Sequence, residues 1–286
     1  MFTLNCKGRL LVIDRPVVMG IINVTPDSFY AGSRQESLGA VVDMAGKMLE
    51  DGAAILDIGG QSSRPGSIAL ESSEEADRVV PAIAAVKAAF PEAIISIDTW
   101  SARVAADAIR TGASIVNDIS AGAFDPALWN VVSQEKVPYV LMHMRGTPQT
   151  MQQHTSYENL TLEVLDFFIN KIGACRAAGI GDIIIDPGFG FAKTIAQNFE
   201  LLDQLDRLCI TGLPVLAGLS RKGTIYKTLG IAAEQAGNGT TVLNTIALMK
   251  GACILRVHDV REAVEAITLV EALRKDKGTR ERMPSS

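Results

Sequence analysis

A recurring block of glycine, a short apolar run and a polar residue limits the folds open to this chain. It occurs as GAAILD at 52–57, GASIVN at 112–117 and GACILR at 251–256. In each block the residues before the glycine have helical periodicity, and glycine readily adopts the left-handed conformation that ends a helix. The apolar run that follows predicts a strand that is buried on both faces, as in a parallel sheet.

Five further runs of the same kind bring the number of predicted strands to eight. They cover 17–24, 93–98, 138–144, 182–188 and 214–220. Helical patterns such as 72–90 and 156–179 lie between them, so strand and helix alternate along the chain. Regular alternation over about 250 residues favours an α/β fold with a closed eight-stranded parallel barrel ringed by helices, the (β/α)8 or TIM barrel. A doubly wound open sheet is the competing architecture, but no GxGxxG turn follows the first strand.

Segments outside the strands predict how the chain is organised. The stretch 2–13 predicts a β-hairpin that closes the bottom of the barrel. We expect 1–275 to form a single barrel domain and the charged stretch 276–286 to form a frayed C-terminal tail. The helical patterns at 240–249 and 262–273 carry more apolar residues than one buried face needs, which predicts a homodimer interface.

Composition and charge exclude several classes of function. With 48% apolar and 21% charged residues, a chain of 286 residues can bury a substantial core. A net charge of −5 without a basic stripe argues against nucleic acid as a partner. No apolar run reaches the roughly 20 residues that span a bilayer, so we expect no membrane contact and a cytoplasmic protein. The four cysteines include no CxxC pair, which argues against disulfides and a zinc site.

Carboxylates stand at the predicted carboxyl ends of three strands, where the active sites of parallel barrels lie. They are Asp57, Asp98 and Asp186. Together with the neighbouring amides they suit a nitrogen-rich heterocycle, because a carboxylate accepts paired N–H donors. The other polar residues at predicted strand ends are Asn23, Asn117, His143, Ser220, Arg221, Lys222, Arg256 and His258.

Basic residues at the same edge suit an anion. Arg64 lies in a loop of glycine, serine and proline after the second barrel strand, and Arg256 and His258 follow the eighth. A guanidinium presents a planar fork of donors that matches phosphate oxygens. The predicted mouth of the barrel therefore combines a site for a heterocycle with a site for phosphate.

Seven short motifs resemble those of the dihydropteroate synthases and stand in that family's order. They are GIINVTPDSF at 20–29, DIGGQSSRPG at 57–66, SIDT at 96–99, VNDIS at 116–120, DPGFGFAKT at 186–194, LSRK at 219–222 and RVHDV at 256–260. The resemblance covers about residues 2–275. It implies a (β/α)8 barrel and a transferase of folate synthesis of the kind that sulfonamides target. That enzyme would join 4-aminobenzoate to 6-hydroxymethyl-7,8-dihydropterin diphosphate, giving 7,8-dihydropteroate and diphosphate.

The resemblance also implies roles for individual residues. The pterin would be held by Asp98, Asn117, Asp186 and Lys222, with Asp57, Met142 and Gly218 near it. The diphosphate would be held by Asn23, Arg64, Arg256 and His258, with Asn23 acting also through a magnesium ion. The aminobenzoate would be bordered by Ser63, Arg64, Pro65, Phe191, Ser220 and Lys222. The residues expected to act in catalysis are Asp98, Asp186, Lys222 and Arg64.

The expected chemistry needs no catalytic triad. An aryl amine is already neutral at pH 7, so no general base has to expose its lone pair. The harder step is cleavage of the carbon–oxygen bond, which becomes easier when magnesium and arginine stabilise the departing diphosphate. We therefore expect a dissociative, SN1-like displacement.

The sequence departs from the family pattern at three places. Ala31 occupies a commonly acidic position, which counts against a carboxylate ligand for magnesium in that loop. Gln61 and Ser63 stand where glutamate and threonine are usual, and we expect activity to survive both changes. The segment EQAGNGT at 234–240 lacks the family's arginine, and the sequence assigns it no role.

Other functions on the same fold remain open. A methyltetrahydrofolate–corrinoid methyltransferase has a similar pterin-binding barrel, but it does not need a diphosphate clamp such as Arg64 and the RVHD segment. A non-catalytic pterin-binding protein would keep Asp98, Asn117 and Asp186 while losing the anion ligands. An aldolase-type lyase would need a Schiff-base lysine inside a strand, whereas Lys222 lies past the seventh barrel strand.

Overall fold

The structure, a computed structural model, describes residues 1–24, 34–61, 66 and 70–280, of which 34–37 and 275–280 are described by their backbone alone. The strands in this part of the chain are β1 (Phe2–Cys6), β2 (Arg9–Ile13), β3 (Val17–Asn23), β4 (Ile55–Gly59), β5 (Ile95–Asp98), β6 (Ile115–Asp118), β7 (Tyr139–Met142), β8 (Ile183–Asp186), β9 (Leu216–Ala217) and β10 (Ile254–Val257). The α-helices are α1 (Arg34–Glu50), α2 (Ser72–Ala89), α3 (Ala102–Thr111), α4 (Leu128–Glu135), α5 (Leu160–Ala177), α6 (Ile195–Asp203), α7 (Gly223–Leu229), α8 (Gly237–Met249) and α9 (Val260–Arg280). Strand and helix alternate from β3 onward, as predicted.

Strands β3 to β10 form one parallel sheet in the order β8-β7-β6-β5-β4-β3-β10-β9. A single parallel bridge between Ile185 and Val215 joins the two edges of this sheet. The backbone N–H of Ile185 donates to the carbonyl of Pro214 at 2.9 Å. These contacts close the sheet into a barrel, so the predicted (β/α)8 fold is confirmed and the open sheet is wrong.

The lower interior of the barrel is an apolar layer covered by the hairpin of β1 and β2. Each barrel strand, or the residue just before it, contributes one side chain to the layer: Met19, Ile55, Ile94, Ile115, Val140, Ile184, Leu216 and Ile254. The inward-facing side chains of the hairpin pack on them: Leu4, Cys6, Leu11 and Ile13. Alternate hairpin residues such as Leu10 and Val12 are exposed, as period-two alternation requires. The hairpin therefore closes the bottom of the barrel, as predicted.

Helix α3 shows how the local signals in the sequence set the length of a helix. The hydroxyl of Ser101 accepts a hydrogen bond from the backbone N–H of Val104 at 3.4 Å and caps the first turn. Gly112 follows the last turn with a φ of 133°, a conformation that side chains disfavour. The chain then returns directly to the barrel as β6.

Two boundaries differ from the predicted ones. Strand β4 continues to Gly59, so Asp57 lies within the strand rather than at its end, between Ile21 of β3 and Ser96 of β5. Helix α9 continues past the predicted domain boundary at 275, and 281–286 lie outside the described residues. Of the helices described, none is both long and apolar enough to cross a bilayer.

Candidate active site

A pocket of about 300 Å³, counted with its open mouth, lies at the carboxyl edge of the barrel strands. It is lined by Asp98, Asn117, Ile119, Met142, Asp186, Phe191, Gly218, Lys222 and Arg256. Every one of these residues except Ile119 was predicted as a site residue. They come from five strands, β5, β6, β7, β8 and β10, and from the loops after β6, β8 and β9, because a closed parallel barrel directs all its strand ends to one rim.

Arg256 connects two carboxylates on the floor of this pocket. Its Nε donates to Oδ2 of Asp57 and its Nη2 donates to Oδ2 of Asp98, both at 2.6 Å. The side chain of Asn117 donates to the same oxygen of Asp57 at 3.0 Å. The sequence predicted that Arg256 binds the diphosphate and that Asp57 and Asp98 lie at the pterin. In the structure, these two sets of residues are in direct contact.

Burial shifts the pKa values of these ion-paired groups. It raises the pKa of Asp98 to about 7, although the positive charge of Arg256 opposes the shift. Burial alone would lower the pKa of Arg256, but the charges of Asp57 and Asp98 outweigh it and the pKa is raised. Arg256 is therefore always charged, while Asp98 titrates near neutral pH.

Asp186 and Lys222 form the opposite side of the pocket. Burial raises the pKa of Asp186 and lowers the pKa of Lys222 to about 8, and each charge opposes the other's shift. The Nζ of Lys222 donates to the carbonyl of Phe189 and lies 4.8 Å from the ring centroid of Phe191. Gly218 lies next to both groups, since a Cβ there would be in ordinary van der Waals contact with them, 3.7 Å from that Nζ and 3.9 Å from Oδ2 of Asp186.

The structure describes only some of the residues that were predicted to bind the diphosphate and the aminobenzoate. The hydroxyl of Ser220 lies 3.0 Å from Nδ1 of His258 and accepts the backbone N–H of His258 at 3.2 Å, outside the pocket lining. Asn23 is exposed at the carboxyl end of β3. The remaining predicted residues lie outside the described part of the chain: Ser63, Arg64 and Pro65.

Arg221 has a structural partner rather than a place in the pocket. Its guanidinium binds Asp259 through two hydrogen bonds, with Nε at 2.9 Å from Oδ2 and Nη2 at 2.7 Å from Oδ1. Its Nη1 donates to the carbonyl of Glu234 at 3.0 Å. The segment 234–240, to which the sequence assigned no role, therefore supports the loop that carries Lys222.

The neighbours of Gln61 explain why an amide is favourable at this position, where the family usually has glutamate. Its side-chain Nε2 donates to Oε2 of Glu75 at 2.6 Å, and its Oε1 accepts the backbone N–H of Leu70 at 3.2 Å. Glu75 is fully buried, which raises its pKa, while the bond from Gln61 opposes that shift. An amide can donate to the buried carboxyl group, whereas a carboxylate at position 61 would be repelled by it.

Sequence reasoning missed two buried charged residues near the pocket. Glu75 looked like an ordinary acidic residue in the first turn of α2. Lys193 is 3% exposed and lies close to His143, but it stood unremarked in the DPGFGFAKT motif. The signal that could have found Lys193 was a lysine inside a glycine-rich motif that also contains Asp186 and Phe191, both of which were assigned to the site.

Replacing Asp98 with asparagine should change how stability depends on pH. The pKa of Asp98 is raised to about 7 in the folded protein and is about 3.9 in an unfolded chain, so the folded state holds the proton more tightly. This contribution favours folding below about pH 4 and is lost as the pH rises through 7.

The free energy of unfolding of Asp98→Asn minus that of the wild type should therefore increase by about 2 kcal/mol from pH 5.5 to pH 8. Urea denaturation of both proteins at the two pH values measures this quantity. A difference in stability that is the same at both pH values would contradict the prediction.

Comparison with known proteins identifies the family of the chain. A family model described as pterin binding enzyme matches residues 19–258. The dihydropteroate synthase of Escherichia coli strain K12 is 41% identical over 271 residues, which cover 94% of this chain and 95% of the relative. The dihydropteroate synthase of Xanthomonas albilineans with 4-aminobenzoic acid superposes with a TM-score of 0.88 at 42% identity, covering 95% of this chain and 98% of that one.

A second structure of the X. albilineans enzyme, in complex with 7,8-dihydropteroate, superposes with a TM-score of 0.85 at 40% identity. It covers 96% of this chain and 99% of that one. These matches extend over the strands and loops that form the pocket. The chain therefore belongs to the dihydropteroate synthase family of pterin-binding enzymes.

Proposed function

We propose that the pocket binds the reduced pterin diphosphate and presents its methylene carbon to 4-aminobenzoate. The chain is a transferase that forms 7,8-dihydropteroate and releases diphosphate. The observation that carries the residue assignment is the convergence of Asp98, Asn117 and Asp186 on one pocket. Their carboxylate and amide groups suit the ring N–H and amino donors of a pterin, and the X. albilineans relative was solved with 4-aminobenzoic acid and with 7,8-dihydropteroate.

The reaction assigns each group a separate task. Asp98 and Asp186 accept hydrogen bonds from the pterin and stabilise positive charge on it as the carbon–oxygen bond breaks and diphosphate takes the electron pair. The amine lone pair of aminobenzoate then forms the carbon–nitrogen bond and the nitrogen loses a proton to solvent. Lys222 and Phe191, which contact each other beside Asp186, border the incoming amine. Orientation and electrostatics supply the catalysis, so no nucleophilic side chain is required.

Loss of one pterin carboxylate should lower turnover without unfolding the protein. Asp186→Asn and Asp98→Asn should each reduce kcat/KM roughly ten- to hundredfold, because asparagine replaces one accepting oxygen with an NH2 donor and a charged hydrogen bond contributes about 1.5–3 kcal/mol. Release of diphosphate that depends on 4-aminobenzoate is the assay. Asp166→Asn, a change to an exposed carboxylate on α5, is the matched control and should leave turnover unchanged.

Either of two results would count against this function. Diphosphate release by the wild type that does not require 4-aminobenzoate would point to another acceptor. A change of less than about twofold in both carboxylate variants would remove Asp98 and Asp186 from the pterin site. A corrinoid methyltransferase, by contrast, would release no diphosphate under any of these conditions.

We also propose that magnesium is held largely by the substrate. In the described part of the chain, no group of three or more His, Cys, Asp or Glu side chains is placed to hold a metal ion. Magnesium prefers oxygen ligands and is commonly bound by few side chains together with water and substrate phosphates. The amide oxygen of Asn23, exposed at the rim of the barrel, fits this role. When bound, the ion supplies positive charge that stabilises the departing diphosphate.

Removal of magnesium should therefore affect catalysis and leave folding unchanged. Treatment with EDTA should abolish turnover, and an excess of magnesium chloride should restore it. The melting temperature of the ligand-free protein should be the same with and without EDTA, because the fold supplies few of the ligands. A large decrease in melting temperature would instead show a structural metal.

We propose that the chain forms a homodimer through α8 and α9, which pack against each other. Exposed apolar side chains on these helices support this interface: Val242, Ile246 and Met249 on α8, and Leu269 and Leu273 on α9. Their spacings of three and four residues place those of each helix on one face. Leu269 is 71% exposed, and together with the other four side chains it gives these two helices the exposed apolar surface that is typical of interaction sites.

Charged residues on this face should separate the proposed dimer. The double variant Val242→Glu with Leu269→Glu should sediment as a monomer at concentrations where the wild type is a dimer, because two buried carboxylates would oppose each other across the interface. Ile169→Glu, which replaces an exposed apolar residue on α5, is the control and should remain dimeric. A wild type that is monomeric throughout the micromolar range would refute the proposal.

The state of the cysteines supports a proposed location in the cytoplasm. Cys6, Cys175, Cys209 and Cys253 are all free thiols. Burial raises the pKa of Cys6 and of Cys175 to about 12, so both behave as inert core residues. Free thiols are typical of proteins in a reducing compartment.

A further inference from the structure

Lys193 is a buried cation that the proposed reaction does not use. Its Nζ donates to the carbonyl oxygens of Gly188 and Phe191, each at 3.1 Å, and lies 2.9 Å from Nδ1 of His143. An ammonium group has three N–H donors and no acceptor, so these three partners use all of its hydrogens. The loop 187–193 therefore curls around the ammonium of its own last residue.

His143, the hydrogen-bond acceptor of Lys193 that lies outside the loop, is held in its neutral form. His143 follows β7, is 2% exposed, and has its backbone N–H bonded to the carbonyl of Asp186 at 3.0 Å. Burial lowers the pKa of His143 to about 2, and the nearby charge of Lys193 adds to the shift. The ring is therefore neutral, and its Nδ1 is the nitrogen that accepts from Lys193.

Further contacts leave the loop little freedom. Gly188 has a φ of 69°, and a Cβ at this position would collide with the carbonyl oxygen of His143. The backbone N–H of Gly190 donates to Oδ1 of Asn198 at 2.6 Å, and Nδ2 of Asn198 donates to the carbonyl of Lys193 at 3.3 Å. The loop is thus attached to β7 on one side and to α6 on the other.

Two groups that face the pocket come from this same loop. One is the carbonyl of Phe189, which accepts the hydrogen bond from Lys222, and the other is the ring of Phe191 beside the same ammonium. The carbonyls bound by Lys193 belong to Gly188 and Phe191, which directly flank these groups. A shift of the loop would therefore move Phe191 and the partner of Lys222 together.

We propose that Lys193 is a positioning residue that holds the loop 187–193 in the form that places Phe191 and Lys222 beside the incoming amine. The assignment of that amine to aminobenzoate rests on the function proposed above. Lys193 does not line the pocket, so it acts on the second substrate through the loop. Asp98 and Asn117 lie on β5 and β6, away from the loop, whereas Asp186 directly precedes the loop and accepts the backbone N–H of Gly188 at 2.8 Å.

The first test measures the loop itself. In Lys193→Met, which keeps the apolar stem and removes the ammonium, the amide hydrogens of Gly190 and Phe191 should exchange about tenfold faster or more than in the wild type. Lys87→Met is the matched control, because Lys87 also donates to a backbone carbonyl, that of Ala93, but at the bottom of the barrel. Unchanged exchange of the two loop amides in Lys193→Met would overturn the proposal.

The second test separates the two substrates. The KM for 4-aminobenzoate should rise about tenfold in Lys193→Met. The Kd of pterin-6-carboxylate, used as a pterin probe, should change by less than about threefold, because Asp98 and Asn117 do not contact the loop and Asp186 alone of the three does. A loss of pterin affinity as large as the loss of aminobenzoate affinity would show general damage to the site and overturn the positioning role.

A double-variant cycle tests whether Lys193 acts through Phe191. Added to Phe191→Ala, the change Lys193→Met should raise the KM for 4-aminobenzoate by less than about twofold further, since the ring it positions is gone. If the two changes raised the KM by independent factors that multiply, this link would be overturned.

If Lys193→Met does not fold, Lys193→Gln, which keeps a donor without the charge, is measured in the same way. If the wild type lacks aminobenzoate-dependent turnover, the proposed function fails, and the exchange rates still decide whether Lys193 holds the loop.

Discussion

The guanidinium of Arg256 lies between the carboxylates of Asp57 and Asp98, and the polar half of the barrel depends on this contact. Without this cation, burial and the negative charge of Asp57 would raise the pKa of Asp98 further. Removing one partner of a buried ion pair costs about 3–5 kcal/mol, because the other charge is left uncompensated. Arg256 therefore makes it possible for β5 to present the carboxylate of Asp98 to the pocket while β4 holds the carboxylate of Asp57 fully buried beside it.

The two ends of the barrel have opposite chemistry. At the bottom, every strand position contributes one apolar side chain to a layer that the hairpin covers, and burial of this surface stabilises the fold. At the top, the same strands end in buried carboxylates and amides that are costly to desolvate. Burial of apolar surface in the lower half therefore offsets the cost of desolvating polar groups in the upper half, as expected when a site must bind charged groups.

Buried groups of opposite charge lie next to each other at the mouth of the barrel, and each affects the pKa of its neighbours. Asp186 is flanked by Lys222 and Lys193, whose positive charges lower its pKa against the effect of burial. Burial brings the pKa of Lys193 to about 7 and that of Lys222 to about 8, with Asp186 opposing both shifts. The two lysines differ in what they contact, since Lys222 faces the pocket whereas Lys193 binds the carbonyls of its own loop. One carboxylate thus supports a substrate-facing cation and a structural one.

Much of the fold and part of the site could be predicted from the sequence because their signals are local. Apolar periodicity marked the eight barrel strands, and a serine cap and a glycine stop set the ends of α3. Asp98, Asn117 and Asp186 could be placed together because the carboxyl ends of parallel strands share one rim. Motif resemblance added Met142, Phe191 and Gly218, which no periodicity would single out.

Only the tertiary structure decided which of these groups touch. Asp57 and Arg256 are 199 positions apart in the chain, and their contact exists because the barrel closes β10 onto β3 next to β4. The bond between Gln61 and Glu75 and the place of Lys193 beside His143 likewise depend on how separate elements pack. The sequence by itself determined where strands and helices lie and which polar side chains reach the rim, since these follow from local periodicity and strand direction. The pairing of charges and the burial that shifts their pKa values depend on distances in space that are set only when the barrel closes.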